Sequence, residues 1–388
     1  MKVAVIHEWL VVEAGAERVL SEILKLYPEA DLFCLLDFLP ADKREFIGNR
    51  PTRTSFIQRL PGARKHYRFY LPLMPLAIEQ FDLSDYDLVI SSSYAVAKGV
   101  ITGPNQLHIA YVHSPMRYAW DLQFQYLRES GLEHGPKSWA ARWLLHKIRL
   151  WDHRTAPGVD HYIANSNFIA RRIKKIYGRS ATVIHPPVDT DFFTPSSIDD
   201  NKNQKSEGLF LTVSRLVPYK RIDLLIEAFR LLPDKRLVIV GDGPERERLE
   251  KRAQGMKIEF AGHCTRRKVR QWMRRAQAFL FAAEEDFGIV PLEAQACGVP
   301  VIAYGRGGVL ETVIALDNPA GLPPTGLFFL RQEPAATAAA IAEFCRRKND
   351  FTPAACRAQA DRFATPYFRE RFRAFVSQAW NEFTKNNK

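Results

Sequence analysis

Two cations and two carboxylates in the second half of the chain are spaced to hold an activated phosphate ester. Arg215 and Lys220 occur in Val213-Ser214-Arg215-Leu216-Val217-Pro218-Tyr219-Lys220-Arg221, the first just after an apolar run, the second just ahead of a helical pattern. Glu285 and Glu293 frame the segment Glu285-Asp286-Phe287-Gly288-Ile289-Val290-Pro291-Leu292-Glu293. On a single helix they would lie about two turns apart. Gly288 and Pro291 instead predict a loop that becomes a helix near Ile289, since proline fits a first helical turn. One carboxylate then projects from the loop and the other from the helix, with the backbone N–H groups of Phe287, Gly288 and Ile289 between them. Such a corner can hold the hydroxyls of a sugar and a ribose while the helix start faces a phosphate. Breaking a sugar–diphosphate bond builds charge on the leaving group, which preorganised cations stabilise most in the transition state. Arg offers paired donors to phosphate oxygens and Lys a point charge. In isolation the same residues would read as surface charges after a strand and as an acidic loop before an amphipathic helix.

Other candidates lie elsewhere. His113, in Ala110-Tyr111-Val112-His113-Ser114-Pro115-Met116-Arg117-Tyr118-Ala119-Trp120-Asp121, ends an apolar strand before a proline-directed loop. Gly15, in Glu13-Ala14-Gly15-Ala16-Glu17-Arg18, opens the first predicted helix, where a glycine allows close approach of an anion to the backbone. Gly241-Asp242-Gly243-Pro244 is half of a dinucleotide fingerprint and reads as a strand-to-helix turn. Asp189-Thr190-Asp191 has the spacing of a metal-holding pair but sits beside an expected linker, so no metal is expected.

The chain has 388 residues, a length that suits two α/β domains of ~150–200 residues. Its hydrophobic content of 46% and charged content of 25% are those of a globular protein, and no apolar run approaches a spanning helix. Met1-Lys2-Val3-Ala4-Val5-Ile6 reads as a buried strand and is too short for a signal peptide. Cys34, Cys264, Cys297, Cys345 and Cys356 are scattered, which fits a reducing, cytoplasmic setting rather than disulfides or zinc. The net charge of +12 implies an anionic partner. From Lys43 to Arg68 the stretch holds a single acid, Glu45, and Arg64-Lys65-His66-Tyr67-Arg68-Phe69-Tyr70-Leu71-Pro72-Leu73-Met74-Pro75 interleaves cations with rings. That pattern suits an anionic membrane surface or, equally, a solvated face beside a packed loop. No nucleic-acid module accompanies it, so nucleic acid is not an expected partner.

Short apolar runs alternate with helical patterns, which predicts parallel sheets. Expected strands are Lys2–His7, Asp31–Leu36, Asp87–Ser91, His108–His113, His161–Asn165 and Thr182–His185, then Leu209–Ser214, Arg236–Gly241, Ile258–Ala261, Ala278–Ala282, Val299–Ala303 and Gly326–Phe329. The polar stretch Pro195–Glu207 marks the expected linker, 191–207, between a domain spanning 1–190 and one spanning 208–365. The fold class is therefore α/β, with two Rossmann-like doubly wound domains facing each other across a cleft. The final helix, from Thr365, carries Phe368, Phe372, Phe375 and Trp380 as core residues.

With Gly307-Gly308-Val309-Leu310-Glu311 after the next strand, these motifs resemble the retaining glycosyltransferases of family 4, also called group 1. The resemblance is strongest from Leu209 to Glu311 and weakest from Pro40 to Phe81. It implies a GT-B fold, a final helix (366–388) that returns to complete the first domain, and metal-independent hexosyl transfer that retains anomeric configuration. It also implies roles: Glu293 on the donor ribose, Glu285 and His113 on the transferred sugar, and Gly307 and Gly308 at the donor. Asp286 stands where the family most often has Gly, and Ala14-Gly15 where it often has two glycines. The segment His113-Ser114-Pro115 to Arg117-Tyr118 and Trp120-Asp121 is similar to mannosyltransferases of bacterial O-antigen and exopolysaccharide assembly. That similarity implies GDP-mannose as donor, ahead of UDP-sugars. It further implies a glycan or lipid-linked acceptor and a peripheral place on the inner face of the cytoplasmic membrane. The rival readings are a nucleotide-sugar epimerase on the same architecture, which would need no acceptor, and a non-catalytic nucleotide-sugar-binding subunit, which could lose some of the four charged residues.

Overall fold

The computed structural model describes residues 1–196 and 208–387. The chain forms two compact units, Met1–Pro187 with Pro366–Lys388, and Val188–Thr365. In the first, β1 (Val3–Leu10), β2 (Asp31–Asp37), β3 (Thr52–Thr54), β4 (Leu88–Ser93), β5 (Leu107–Val112), β6 (His161–Ala164) and β7 (Ala181–Val183) make one sheet. Its order is β3-β2-β1-β4-β5-β6-β7, and all neighbours are parallel. Parallel strands are joined by helical crossovers that cover both faces, so their apolar runs are nearly continuous. In β1, Val3 and Val5 pack with Val19, Leu20 and Ile23 of the Gly15–Leu26 helix. Ala4 and Ile6 face the other way, onto Met74, Ala77 and Ile78 of the Met74–Glu79 helix.

The second unit repeats the plan. Strands β8 (Leu209–Val213), β9 (Arg236–Val240), β10 (Ile258–Gly262), β11 (Ala278–Phe281), β12 (Val301–Tyr304) and β13 (Gly326–Phe329) are ordered β10-β9-β8-β11-β12-β13, again all parallel. In each sheet the strand order reverses once, between β1 and β4 and between β8 and β11. Ligands of doubly wound sheets bind beyond the carboxyl ends of the strands at such a reversal.

The expected strands recur with small shifts at their ends, and β1 runs on to Leu10. Several elements escaped the pattern, the Met74–Glu79 and Gln123–Glu129 helices among them. Thr52-Arg53-Thr54 forms the edge strand β3 without an apolar residue. The Pro353–Asp361 helix is capped by Thr352, whose hydroxyl accepts from the Ala355 N–H at 3.1 Å. Of the expected linker 191–207, residues 197–207 lie outside the described residues. Its beginning is part of the second core: Phe193 is buried, and Arg270, Arg274 and Arg357 donate to the carbonyls of Phe192 (2.7 Å), Thr194 (2.8 Å) and Phe193 (2.9 Å).

The last helix, Thr365–Asn386, belongs to the first unit, where Phe368, Phe372, Val376 and Ala379 are buried with Tyr111 of β5. Arg369 pairs with Glu22 and Arg371 donates to the Val183 carbonyl at 3.1 Å. Phe372 is fully buried. Phe372→Ala is expected to cost ~3–5 kcal/mol of unfolding free energy, read as a lower denaturant midpoint with little change in slope.

Candidate functional site

The reversal in the second sheet collects the charged residues singled out from the sequence. Arg215 and Lys220 follow β8, and Glu285 follows β11, its immediate neighbour. Lys220 Nζ contacts the Glu285 carboxylate directly, and the Lys220 ammonium also lies 5.2 Å from the Tyr219 ring centroid. Arg215 is exposed and has no ion pair among the described residues. After Lys220 the chain turns through Arg221 in the left-handed region, at φ 53°, before the Ile222–Arg230 helix starts. For a residue with a side chain that conformation carries strain. It is held by Arg221 donating to Gln332 Oε1 at 3.2 Å, while Gln332 donates to the Ala282 carbonyl at 2.8 Å. Beyond Glu285, Gly288 takes φ 91° and the Ile289–Ala296 helix begins, with Glu293 buried in it. Phe287 is buried against Phe363, with ring centroids 5.7 Å apart.

Two pairs of glycines brace these loops. A Cβ on Gly307 would meet the Glu285 carbonyl oxygen at 2.3 Å, and one on Gly308 the Asp286 oxygen at 2.3 Å. The Gly308 N–H donates to Glu285 O at 2.8 Å, so the loop after β12 lies backbone to backbone on the acidic motif. Gly307 and Gly308 thus have a packing reason to be glycine, whatever they contact in a complex. Likewise Cβ atoms on Gly241 and Gly243 would strike Ser214 O at 1.9 Å and Leu216 O at 2.3 Å. Leu216 N donates to Asp242 O at 2.9 Å. The turn at 241–243 is therefore the brace of the Arg215 loop, a role its spacing alone did not reveal.

The reversal in the first sheet carries a buried hydrogen-bond relay that ends on His113. Glu17, in the first turn of the Gly15–Leu26 helix, accepts from the Ala14 N–H at 2.9 Å and lies 3.3 Å from His7 Nε2. His7 Nδ1 is 3.1 Å from Ser92 Oγ, which is 2.9 Å from His113 Nε2. Facing a carboxylate, His7 Nε2 is the donor. For a neutral His7 its Nδ1 then accepts from the Ser92 hydroxyl, and Ser92 accepts from the His113 Nε2–H. That order leaves His113 Nδ1 as a lone-pair acceptor, with no partner among the described residues. The His113 main chain is pinned as well, by its N–H on Ser93 O (2.8 Å) and by Asn165 Nδ2 on its carbonyl (2.8 Å). Beside it, Glu8 is fully buried and accepts from four successive N–H groups, Tyr94 (3.0 Å), Ala95 (2.7 Å), Val96 (2.9 Å) and Ala97 (3.0 Å). This clamp fixes the loop after β4. Gly15 stands at the start of the helix that supplies Glu17. Asp189 pairs with Arg266, and among the described residues no His, Cys, Asp or Glu cluster could hold a metal ion.

Comparison with known proteins agrees with this layout. Residues 14–192 match the family model Glycosyltransferase Family 4, and residues 194–361 match Glycosyl transferases group 1. The chain belongs to this glycosyltransferase family. Among curated relatives, it is 36% identical over 172 residues to a GDP-mannose-dependent alpha-(1-6)-phosphatidylinositol monomannoside mannosyltransferase of Mycolicibacterium smegmatis, covering 38% of this chain and 45% of that one. It is 33% identical over 179 residues to a D-inositol 3-phosphate glycosyltransferase of Jonesia denitrificans, covering 39% and 42%. The chain spans about half the length of the curated relatives it matches. In fold it is similar to Anabaena Alr3699/HepE, solved with UDP, at a TM-score of 0.71 and 20% identity, covering 97% of this chain and 100% of that one. It is also similar to the sucrose-phosphate synthase of Thermosynechococcus elongatus, at 0.72 and 16%, covering 98% and 100%. The fold is that of the GT-B glycosyltransferases.

In this family member, sequence reasoning missed Glu8, His7, Glu17 and Ser92. A signal was present: His7-Glu8 interrupts the apolar β1, and Ser91-Ser92-Ser93 closes β4. Polar residues inside a doubly covered strand need buried partners. Burial, and secondarily His7, pushes the His113 ring down to about 3, and burial lowers His108 to about 4 against an ordinary 6.5. Below about pH 6.5 the unfolded chain takes up protons that the folded rings refuse, so the stability they confer is lost progressively toward pH 4 and below. The melting temperature is expected to fall over that window, and the His108 and His113 resonances to stay unshifted from neutral pH to about 5. Titration of either ring near its ordinary value would contradict the burial.

Proposed function

We propose that this chain transfers mannose from GDP-mannose to a lipid-linked glycan acceptor in cell-surface polysaccharide assembly, with retention of anomeric configuration. The observation that carries it is the Lys220–Glu285 contact across the β8/β11 reversal, with Arg215 on the same loop as Lys220. A phosphate-binding cation and a hydroxyl-binding carboxylate that touch mark the junction between a leaving phosphate and the sugar it leaves. Arg215 and Lys220 would take the growing charge of the diphosphate, the stage at which fixed cations contribute most. Glu285 would orient the sugar hydroxyls, Glu293 would hold the ribose, and the Phe287, Gly288 and Ile289 N–H groups would face the phosphates at the helix start. His113, neutral and presenting Nδ1, would accept a hydrogen bond from a hydroxyl of the transferred sugar. The favoured path is attack of the acceptor hydroxyl on the face the diphosphate leaves, with the leaving phosphate taking the proton. GDP-mannose as donor is supported by the GDP-mannose-dependent relatives and by the His113–Asp121 segment.

The test is incubation of the purified chain with a panel of GDP- and UDP-sugars and lipid-linked acceptors, reading free nucleotide and product mass. Release of nucleotide and a mannosylated product of retained configuration are expected. Donor turnover without any acceptor would favour an epimerase, and an inverted product would reject the same-face path. Arg215→Ala is expected to lower kcat by about 10²–10³-fold, and Glu293→Ala mainly to raise the donor KM. Unchanged kinetics in both variants would remove the site assignment. Gly308→Ala is expected to lower both activity and stability, because its Cβ has no room against Asp286 and Phe287.

A further inference from the structure

The Pro136–Arg154 helix, with the sequence Pro-Lys-Ser-Trp-Ala-Ala-Arg-Trp-Leu-Leu-His-Lys-Ile-Arg-Leu-Trp-Asp-His-Arg, packs only one side into the first unit. Ser138, Leu145, Ile148 and Asp152 are buried on that side. On the other, Trp139 is 80% exposed, Trp143 62% and Leu150 53%. Positions 139, 143 and 150 follow the helical repeat and form one stripe. Phe124 on the neighbouring Gln123–Glu129 helix, 59% exposed, adds a ring, and Arg142 lies 5.7 Å from its centroid. Single exposed apolar residues need no explanation, but two tryptophans and a leucine in register do.

The charge on this helix is one-sided. Its sole acid, Asp152, is fully buried and bound to Lys98 Nζ at 2.9 Å. The exposed ionisable residues are Lys137, His146, Lys147, His153 and Arg154, with the Lys147 ammonium 5.6 Å from the Trp143 ring centroid. Glu79 accepts from Trp151 Nε1 at 2.7 Å and pairs with Arg154, which sets the basic-aromatic segment before it beside this helix. In that segment Phe69 is 79% exposed, and Leu76 just after it is 51% exposed.

We propose that the outward face of the Pro136–Arg154 helix docks on an anionic lipid bilayer. Tryptophan and leucine on a stripe flanked by cations are what a helix lying in the headgroup region presents, and each cation contributes about 1 kcal/mol near such a surface. Among the described residues no helix is long and apolar enough to cross a membrane, so the contact is peripheral. The inference deepens the proposed function, since it rests on the acceptor being carried by a lipid.

The test uses the full chain and vesicles of phosphatidylcholine with and without phosphatidylglycerol, at low and high salt. Binding is expected on anionic vesicles, about tenfold or more weaker on neutral ones and in high salt. Trp139→Ser with Trp143→Ser, and separately His146→Glu with Lys147→Glu, should each weaken it about tenfold. Since these side chains are exposed, the melting temperature should not move. Binding indifferent to lipid charge or to both double variants would overturn the proposal. So would concentration-dependent dimerisation that Trp139→Ser with Trp143→Ser abolishes, which would assign the stripe to a second copy of the chain. Nucleotide release from GDP-mannose with a short water-soluble acceptor, measured alongside, separates the two claims. Lost docking with intact turnover rejects this surface alone, and docking without turnover rejects the transferase reading alone.

Discussion

A parallel sheet covered on both faces leaves its strands few places where polar side chains meet partners, and the principal one is the carboxyl edge. Along β1, β4, β8 and β11 nearly every side chain is buried, and an unpaired polar group there would cost several kcal/mol. Near the strand ends that cost is met by specific partners: Glu8 by successive backbone N–H groups, His7 by Ser92 and Glu17. Where strand order reverses, the helices leave in opposite directions and these ends stay open. Both sets of candidate residues stand there because the topology has one such opening per sheet.

The two openings are built differently. In the second unit Arg215, Lys220 and Glu285 are borne on the connections that follow β8 and β11, and precision comes from backbone packed on backbone. Gly307 and Gly308 let one loop lie on Glu285–Phe287, and Gly241 and Gly243 let another lie on Ser214–Leu216. Arg215 is left without an ion pair among the described residues. In the first unit precision comes from a chain of side-chain hydrogen bonds. His113 is held by its ring, its N–H and its carbonyl at once, so its free nitrogen has one direction in which to act.

Buried charge elsewhere in the first unit shows the same economy. Lys98 and Asp152 are both buried, and Lys98 also donates to the Asp152 carbonyl and Thr155 Oγ1 at 2.7 and 2.9 Å. Asp152 accepts from Trp120 Nε1 at 2.7 Å and from Tyr177. A pair so fully satisfied is costly to break from one side only. It anchors the inner face of the helix whose outer face carries Trp139 and Trp143.

Local chemistry along the chain was enough to establish the alternation of strands and helices, the loop-to-helix change at Ile289 and the charged residues around it. Those features rest on apolar periodicity, on proline and glycine geometry and on side-chain type, which are properties of neighbouring residues. Contacts between distant segments were decided only by the fold: Lys220 on Glu285, the 241–243 turn beneath Arg215, and the relay from Glu17 to His113. The second core's hold on Phe193 and the outward turn of Trp139 and Trp143 belong with them. An apolar or aromatic residue reads alike in sequence whether it faces a core or solvent. Which of the two it faces depends on what the crossovers bring to lie against it.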